Sequence, residues 1–318
     1  MMNQQNQAKI LGLGSFLPKK VLSNADLEKL VDTSDEWITT RTGIKERRIA
    51  SEEESASFMA IKAAEAAIQN SGIDPSEIDL VLTATMTPDH YGCPSTAALI
   101  QAELKIGHVP ALDLQAACTG YIYGLQAAKA FIESGLYRNI LFVATEKMSS
   151  IVDFSDRSTC VLFGDGASAA VISAEGTGFK IDHVDLAADG AQAHLIEVPV
   201  GEQYITMRGK EVFKHAVRRM AHSCEQCLST LELQHSDISW LIPHQANGRI
   251  IDALGRHMEV PEEKVFSVIH KYGNTSASSI GIALDELLQQ HDVASGERLL
   301  LVAFGAGLTW GSAVLTKI

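Results

Sequence analysis

The chain has 318 residues, 46% hydrophobic and 20% charged, with a formal net charge of −13. Such a composition belongs to a soluble globular protein long enough for about two ~150-residue cores. It argues against nucleic acid as the main partner, since phosphate binding needs a basic surface, and no uncharged apolar run reaches the ~20 residues that cross a bilayer. Residues 1–7 are polar and lack a signal-peptide core, which predicts a cytoplasmic protein. Cys93, Cys118, Cys160, Cys224 and Cys227 form no dense disulfide framework and read as reduced thiols.

Residues 57–70 read as a helix and 78–85 as the strand after it. A short strand pattern from Ala111 stops at Ala116-Ala117-Cys118, where a helix begins; it carries no charge from 119 to 128 and ends at Ser134-Gly135. A strand over 140–145 follows. In the second half a helix spans 212–231; it holds Cys224 and Cys227 without the second pair that a zinc site needs. The strand 240–242 ends at Pro243-His244, with a helix from about 246. Residues 265–269 read as a strand, 271–274 as a turn, Thr275 onward as a helix, and 299–303 as a strand. This alternation predicts an α/β protein with mostly parallel strands.

The chain also echoes itself. Ser76-Glu77-Ile78-Asp79-Leu80-Val81-Leu82 resembles Ser236-Asp237-Ile238-Ser239-Trp240-Leu241-Ile242, 160 residues further on, and Ser134-Gly135 with its strand resembles Ser295-Gly296 with its own. Two similar halves, 1–175 and 176–318, follow as an expectation, intimately packed because no long linker separates them. In that scheme Cys118, His244 and Asn274 lie past the carboxyl ends of strands, where α/β sheets form ligand sites.

Cys118 is the most informative residue. Alone it reads as a small buried side chain; at a helix N-terminus, unpaired N–H groups and the helix dipole favour a thiolate nucleophile near neutral pH. His244 alone reads as a core histidine and Asn274 as a turn residue. Arg208, Lys210, Lys214, Arg218 and Arg219 stand out in an acidic chain, with Lys210, Lys214 and Arg218 four apart on one helix face. That face is either solvated surface or a docking patch for an acidic partner.

Several motifs, in order and spacing, resemble the type III β-ketoacyl-acyl carrier protein synthases among the thiolase-like condensing enzymes. They are Asp32-Thr33-Ser34-Asp35-Glu36-Trp37-Ile38-Thr39-Thr40-Arg41-Thr42-Gly43-Ile44, Ala116-Ala117-Cys118, Phe163-Gly164-Asp165-Gly166-Ala167, Pro243-His244-Gln245-Ala246-Asn247, Gly273-Asn274-Thr275-Ser276 and Phe304-Gly305-Ala306-Gly307-Leu308-Thr309-Trp310-Gly311. The resemblance implies a thiolase-like α/β fold of two duplicated halves, each with a mixed, mostly parallel sheet and helices, packed in layers. It implies that Cys118 takes an acyl group from acyl-coenzyme A and that malonyl-acyl carrier protein then loses carbon dioxide and attacks the thioester, initiating fatty acid synthesis. His244 and Asn274 would donate hydrogen bonds to the developing enolate oxygen; the backbone N–H groups of Cys118 and Ala306 would form the oxyanion hole, with Phe304 as a hydrophobic wall. Trp37, Arg41 and Arg157 would hold coenzyme A, and Lys214, Arg218, Gln245 and Arg249 would meet the acidic carrier protein. No metal or cofactor is implied beyond coenzyme A as substrate, and the family's homodimer is expected.

Departures from the family pattern are Thr119 and Tyr121 after the nucleophile and, above all, Cys93. In the family an aromatic side chain at that position enters the partner subunit's acyl pocket. A thiol there opens space and predicts a primer longer than acetyl, unless Tyr91 refills the volume. Gly164-Asp165-Gly166 lacks the lysine and spacing of a phosphate loop and reads as a structural turn. Competing readings are a thiolase-fold condensing enzyme of secondary metabolism, a papain-like hydrolase, whose Cys-Gly-Ser-Cys-Trp context is missing, and a non-enzymatic module, which leaves three reactive side chains at strand ends without a purpose.

Overall fold

The computed structural model describes residues 6–318. Nine strands build one sheet: β1 (Lys9–Phe16), β2 (Leu80–Ala84), β3 (Ala111–Leu114), β4 (Asn139–Glu146), β5 (Gly166–Ser173), β6 (Phe179–Ala188), β7 (Trp240–Pro243), β8 (Arg298–Gly305) and β9 (Thr309–Lys317). Their spatial order is β7-β8-β9-β6-β1-β5-β4-β2-β3. Outward from the centre, β1-β5-β4-β2 is matched by β6-β9-β8-β7, and the two series join where Lys9 pairs with Lys180 and Ile10 with Phe179.

Two expectations need correction. The sheet is mixed, but its parallel pairings are β2/β3, β2/β4 and β7/β8, and every other neighbouring pair is antiparallel. The reason is local at β8 and β9: three residues connect them, too few for the crossover that a parallel pair requires. Residues 265–269 do not form a strand. Val265 makes one parallel bridge to Leu241, after which the Gln245 side-chain carbonyl accepts the Val268 N–H at 3.0 Å and the Ser267 hydroxyl at 2.9 Å. The N–H that a sheet partner would use is thereby taken, and Ile269–Tyr272 turns helical.

Burial alternates along the strands as the two-residue period requires. Leu80, Leu82 and Ala84 of β2, Ile140, Phe142 and Ala144 of β4 and Leu299, Leu301 and Ala303 of β8 face one core, which they share with the helices Gly120–Glu133 and Ser279–Gln290. Val81, Leu141 and Val143 face a second core under the helix Ala56–Ser71; Leu300 and Val302 face a third under Gly209–Thr230 and Gly248–His257. Strands buried on both faces explain why these segments read as continuous apolar runs. The result is helix layers outside both halves and a helix layer between them.

The helix Ala56–Ser71 lies almost flat on β1. Its inward face carries Ala63, Ala64 and Ala67, and a Cβ at Gly12 would stand 2.3 Å from the Ser71 nitrogen and 2.5 Å from the Ala67 oxygen. These contacts are backbone and cannot rotate away. Gly12→Ala is therefore expected to destabilise the protein by about 1–3 kcal/mol, seen as a lowered denaturation midpoint. Gly190→Ala, whose Cβ would meet open space, is the control and should leave the midpoint within about 0.5 kcal/mol of the parent.

Candidate active site

Cys118 follows β3 in a short helical turn, Ala117–Thr119, that leads into the helix Gly120–Glu133. Ala117 has φ +46°, a left-handed conformation that costs a non-glycine residue about 1–2 kcal/mol. At the end of β8, a Cβ on Gly305 would lie 2.9 Å from the Cys118 nitrogen and 3.0 Å from that of Thr119. Only glycine lets the backbone that continues into Ala306 approach those amides so closely. The Thr119 hydroxyl donates to the Thr309 carbonyl at 3.2 Å and accepts from the Thr309 hydroxyl at 3.0 Å, which ties the nucleophile's turn to β9.

His244 emerges from the end of β7, its N–H bonded to the Val302 carbonyl of β8 at 2.7 Å, and is 2% exposed. Its Nδ1 lies 2.6 Å from the Ser279 Oγ, and the same oxygen accepts the Gln245 N–H at 3.3 Å. The Ser279 O–H can donate to Nδ1, and in that tautomer the imidazole proton sits on Nε2, where it is a donor. Burial pushes the His244 pKa down to about 3, so the ring is neutral throughout the physiological range. Asn274 is pinned by its N–H to the Leu162 carbonyl at 2.8 Å and by its own carbonyl to the Gly164 N–H at 3.0 Å. Its Oδ1 accepts the Ser276 N–H at 2.8 Å, leaving the side-chain NH₂ as the free donor.

These three side chains line one cavity of about 770 Å³, together with Phe304 and Ala306. Trp37, Arg41, Lys210, Lys214 and Arg249 also line it, and the four cationic residues among them are exposed. The Arg157 guanidinium stands over the Trp37 ring at 4.5 Å and that of Arg41 at 5.8 Å, while Arg157 Nη1 donates to the Asp32 carbonyl at 2.6 Å. The basic stripe extends along the exposed face of Gly209–Thr230 through Lys210, Lys214 and Arg218. Arg219 turns away to Asp189, at 3.1 Å, and over the Trp310 ring at 4.4 Å.

Two sequence-based expectations change, at Cys118 and at Gln245. Burial pushes the Cys118 thiol up to about 12, further than the Ser276 hydroxyl and the cysteine's own amide pull it down; desolvation beats the helix start, and the resting side chain is a thiol, not a thiolate. Gln245 is 1% exposed and spends its side chain on the Pro243 carbonyl, Ser267 and Val268, so it cannot meet a carrier protein. Cys93 is exposed and does not line this chain's own cavity. Cys224 and Cys227 are buried, and Cys227 bonds to Ser312. Asp165 is buried and accepts from Ala50 N–H, Ser149 N–H and the Ser149 hydroxyl, as a structural turn requires. Sequence reasoning missed Ser279, Ser276 and Glu146, which surround the three reactive groups. Ser276 is two residues from Asn274, but nothing in the local pattern distinguishes it from a helix cap.

Two family profiles match the chain: 3-oxoacyl-(acyl-carrier-protein) synthase III over residues 112–190 and the C-terminal part of the same family over 228–317. A β-ketoacyl-(acyl-carrier-protein) synthase III of Chlamydia muridarum is 55% identical over 98% of this chain and the whole of that protein. The chain belongs to the β-ketoacyl-acyl carrier protein synthase III family. Crystal structures agree: the synthase III of Aquifex aeolicus superposes with a TM-score of 0.94 at 50% identity, covering 97% of this chain and 99% of that one. The priming β-ketosynthase of the R1128 polyketide pathway gives 0.93 at 36% identity, covering 100% and 98%. The fold is thus thiolase-like, and the chain is a condensing enzyme of the acyltransferase type.

The tautomer argument gives a test. In Ser279→Ala, His244 Nδ1 loses its donor and Nε2 is no longer held as N–H, a change of about 1–1.5 kcal/mol. The steady-state condensation rate should fall about tenfold with KM for the primer little changed.

Proposed function

We propose that the cavity carries out the condensation of an acyl-coenzyme A primer with malonyl-acyl carrier protein, giving a 3-oxoacyl-acyl carrier protein and initiating fatty acid synthesis. The observation that carries this reading is the meeting of Cys118, His244 and Asn274 in one 770 Å³ cavity with exposed cationic residues around it. Cys118 accepts the acyl group as a thioester, and the coenzyme A thiol leaves. Malonyl-acyl carrier protein then loses carbon dioxide, and the resulting enolate attacks the thioester. Negative charge develops on the malonyl thioester oxygen, and the Nε2–H of His244 and the amide of Asn274 are the neutral donors that stabilise it. Removing one such donor typically costs about 10²–10³ in rate. In the acylation step, the amides of Cys118 and Ala306 take the tetrahedral oxyanion.

Trp37, Arg41 and Arg157 suit the adenine and phosphates of coenzyme A, with the ring for stacking and the guanidinium groups for charge. Lys214, Arg218 and Arg249 give an acidic carrier protein a local positive surface on a chain whose net charge is negative. A homodimer is part of the proposal. Its support is β3, a sheet-edge strand with Leu112 39% exposed, next to a loop with Tyr91 78% exposed and Cys93 exposed as well. In that dimer Cys93 of each subunit reaches the other's acyl pocket, and the missing aromatic volume favours a medium-chain primer.

The decisive experiment is intact mass measurement after incubation with an equimolar mixture of acyl-coenzyme A thioesters. The expected result is one acyl group on the parent, an octanoyl-sized adduct outcompeting acetyl, and none on Cys118→Ala. An acetyl adduct alone would overturn the medium-chain primer; no adduct at all would overturn the reading.

A further inference from the structure

Two hydroxyls beside the nucleophile have no task in the reaction just described. Thr119 follows Cys118 and is fully buried; Thr309 opens β9, where it pairs with Gly305 across the loop 306–308. The Thr119 hydroxyl gives its proton to the Thr309 carbonyl, 3.2 Å away, so its oxygen is left to accept. The Thr309 hydroxyl has one proton and three acceptors in reach: the Thr119 oxygen and the Ala306 carbonyl at 3.0 Å each, and the Ala116 carbonyl at 3.3 Å. A proton shared in this way makes a three-centre bond. One hydroxyl thereby reaches both the start of the nucleophile's turn and the residue that follows β8.

Both places need holding. Ala306 stands between Gly305 and Gly307, and a glycine on either side gives its peptide groups unusual freedom. The far end of the loop is fixed by Leu308, which exchanges two backbone bonds with Asp189, at 2.8 and 3.0 Å. At the near end the donor to the Ala306 carbonyl is the Thr309 hydroxyl. Ala116 precedes Ala117, whose φ of +46° persists only where the surroundings over-determine it. The Ala116 carbonyl accepts the Thr119 N–H at 3.0 Å and faces the Thr309 hydroxyl as well. The two threonines therefore act together on the turn that aims the Cys118 N–H.

We propose that Thr309 and Thr119 form a clasp that sets the spacing of the Cys118 and Ala306 amides and so positions the oxyanion hole. This rests on the condensing reading above, which gives those two amides the carbonyl oxygen of the primer. Neither threonine lines the cavity; both are positioning residues. When the Cys118 sulfur bonds to the primer's carbonyl carbon, the carbonyl oxygen takes up negative charge, and its donors help most when they are already in place. A Cβ on Gly305 would stand 2.9 Å from the Cys118 nitrogen and 3.1 Å from the Thr119 Oγ1, so the clasp closes where the two backbones come nearest. The donors for the enolate are held by other means: His244 Nδ1 by the Ser279 Oγ at 2.6 Å, and Asn274 Oδ1 by the Ser276 N–H at 2.8 Å. The clasp touches neither, which separates its effect from a general loosening of the site.

The test compares two rates. One is single-turnover acylation of Cys118, by rapid quench and intact mass, with whichever of acetyl- and octanoyl-coenzyme A labels the parent faster. The other is carbon dioxide release from malonyl-acyl carrier protein with no primer present. Thr309→Val keeps the side chain's shape and removes the shared proton. Its acylation rate at saturating primer should fall by about tenfold to 10²-fold, the cost of displaced rather than missing donors. The half-saturating primer concentration and the carbon dioxide release should stay within about twofold of the parent's. Thr309→Ser should restore the acylation rate. Thr119→Val should be slowed like Thr309→Val, and the double variant should be no slower than Thr309→Val, because the two act as one unit. An acylation rate in Thr309→Val equal to the parent's, an equal loss in both rates, or losses that multiply in the double variant would overturn the clasp while leaving the condensing reading intact. If Thr309→Val does not fold, the two rates of Thr119→Val decide alone; if the parent releases no carbon dioxide without primer, the split between rate and half-saturating concentration decides. A parent that takes up neither acyl group would overturn the condensing reading and the clasp with it.

Discussion

The close approach of Gly305 to the amides of Cys118 and Thr119 organises this molecule. It brings the end of β8, from the second half, against the nucleophile's turn, from the first, at a separation that a single methyl group would forbid. Small residues repeat the theme nearby: a Cβ on Gly120 would stand 3.1 Å from both Ala84 and Ala277. Beside the nucleophile the two halves therefore meet through backbone and methyl groups, while Leu, Ile and Phe side chains fill the core they share further off. Dense packing of this kind is stiff, which suits a site whose donors must be in place before charge develops.

Burial sets the electrostatics in one direction. It raises Cys118 and Glu146 and lowers His244, each shift favouring the uncharged form. The resting site is consequently close to neutral, a good environment for an apolar acyl chain. Charge is confined to the outer residues Arg41, Lys210, Lys214 and Arg249, where exposure keeps it hydrated and available to an anionic partner. The chain separates its two needs in space: polar attraction outside, neutral hydrogen-bond donors inside.

Much of this was legible in the sequence. The α/β class, the strands ending at Pro243 and near Cys118, and the echo between residues 76–82 and 236–242 were all readable, because two-sided burial writes itself as apolar runs of strand length. The failures share a cause. The thiolate expectation at Cys118 weighed a local feature, the helix start, without the desolvation that only tertiary packing supplies. The strand expected over 265–269 was lost to the Gln245 side chain, twenty residues away, and that same bond took Gln245 from the surface role assigned to it. Glu146, Ser276 and Ser279 stayed invisible because their relevance lies in contacts between β4, the turn at Asn274 and the central helix.

The central claim is that Cys118 rests as a thiol in the half-buried wall of the cavity and gives up its proton only as the acyl donor arrives. The most direct measurement is the pH dependence of Cys118 alkylation by iodoacetamide in the substrate-free protein, read by mass at that residue. The account predicts a rate that keeps rising above pH 8 with no thiolate plateau below it. A plateau reached below pH 7, the signature of a preformed thiolate, would contradict it.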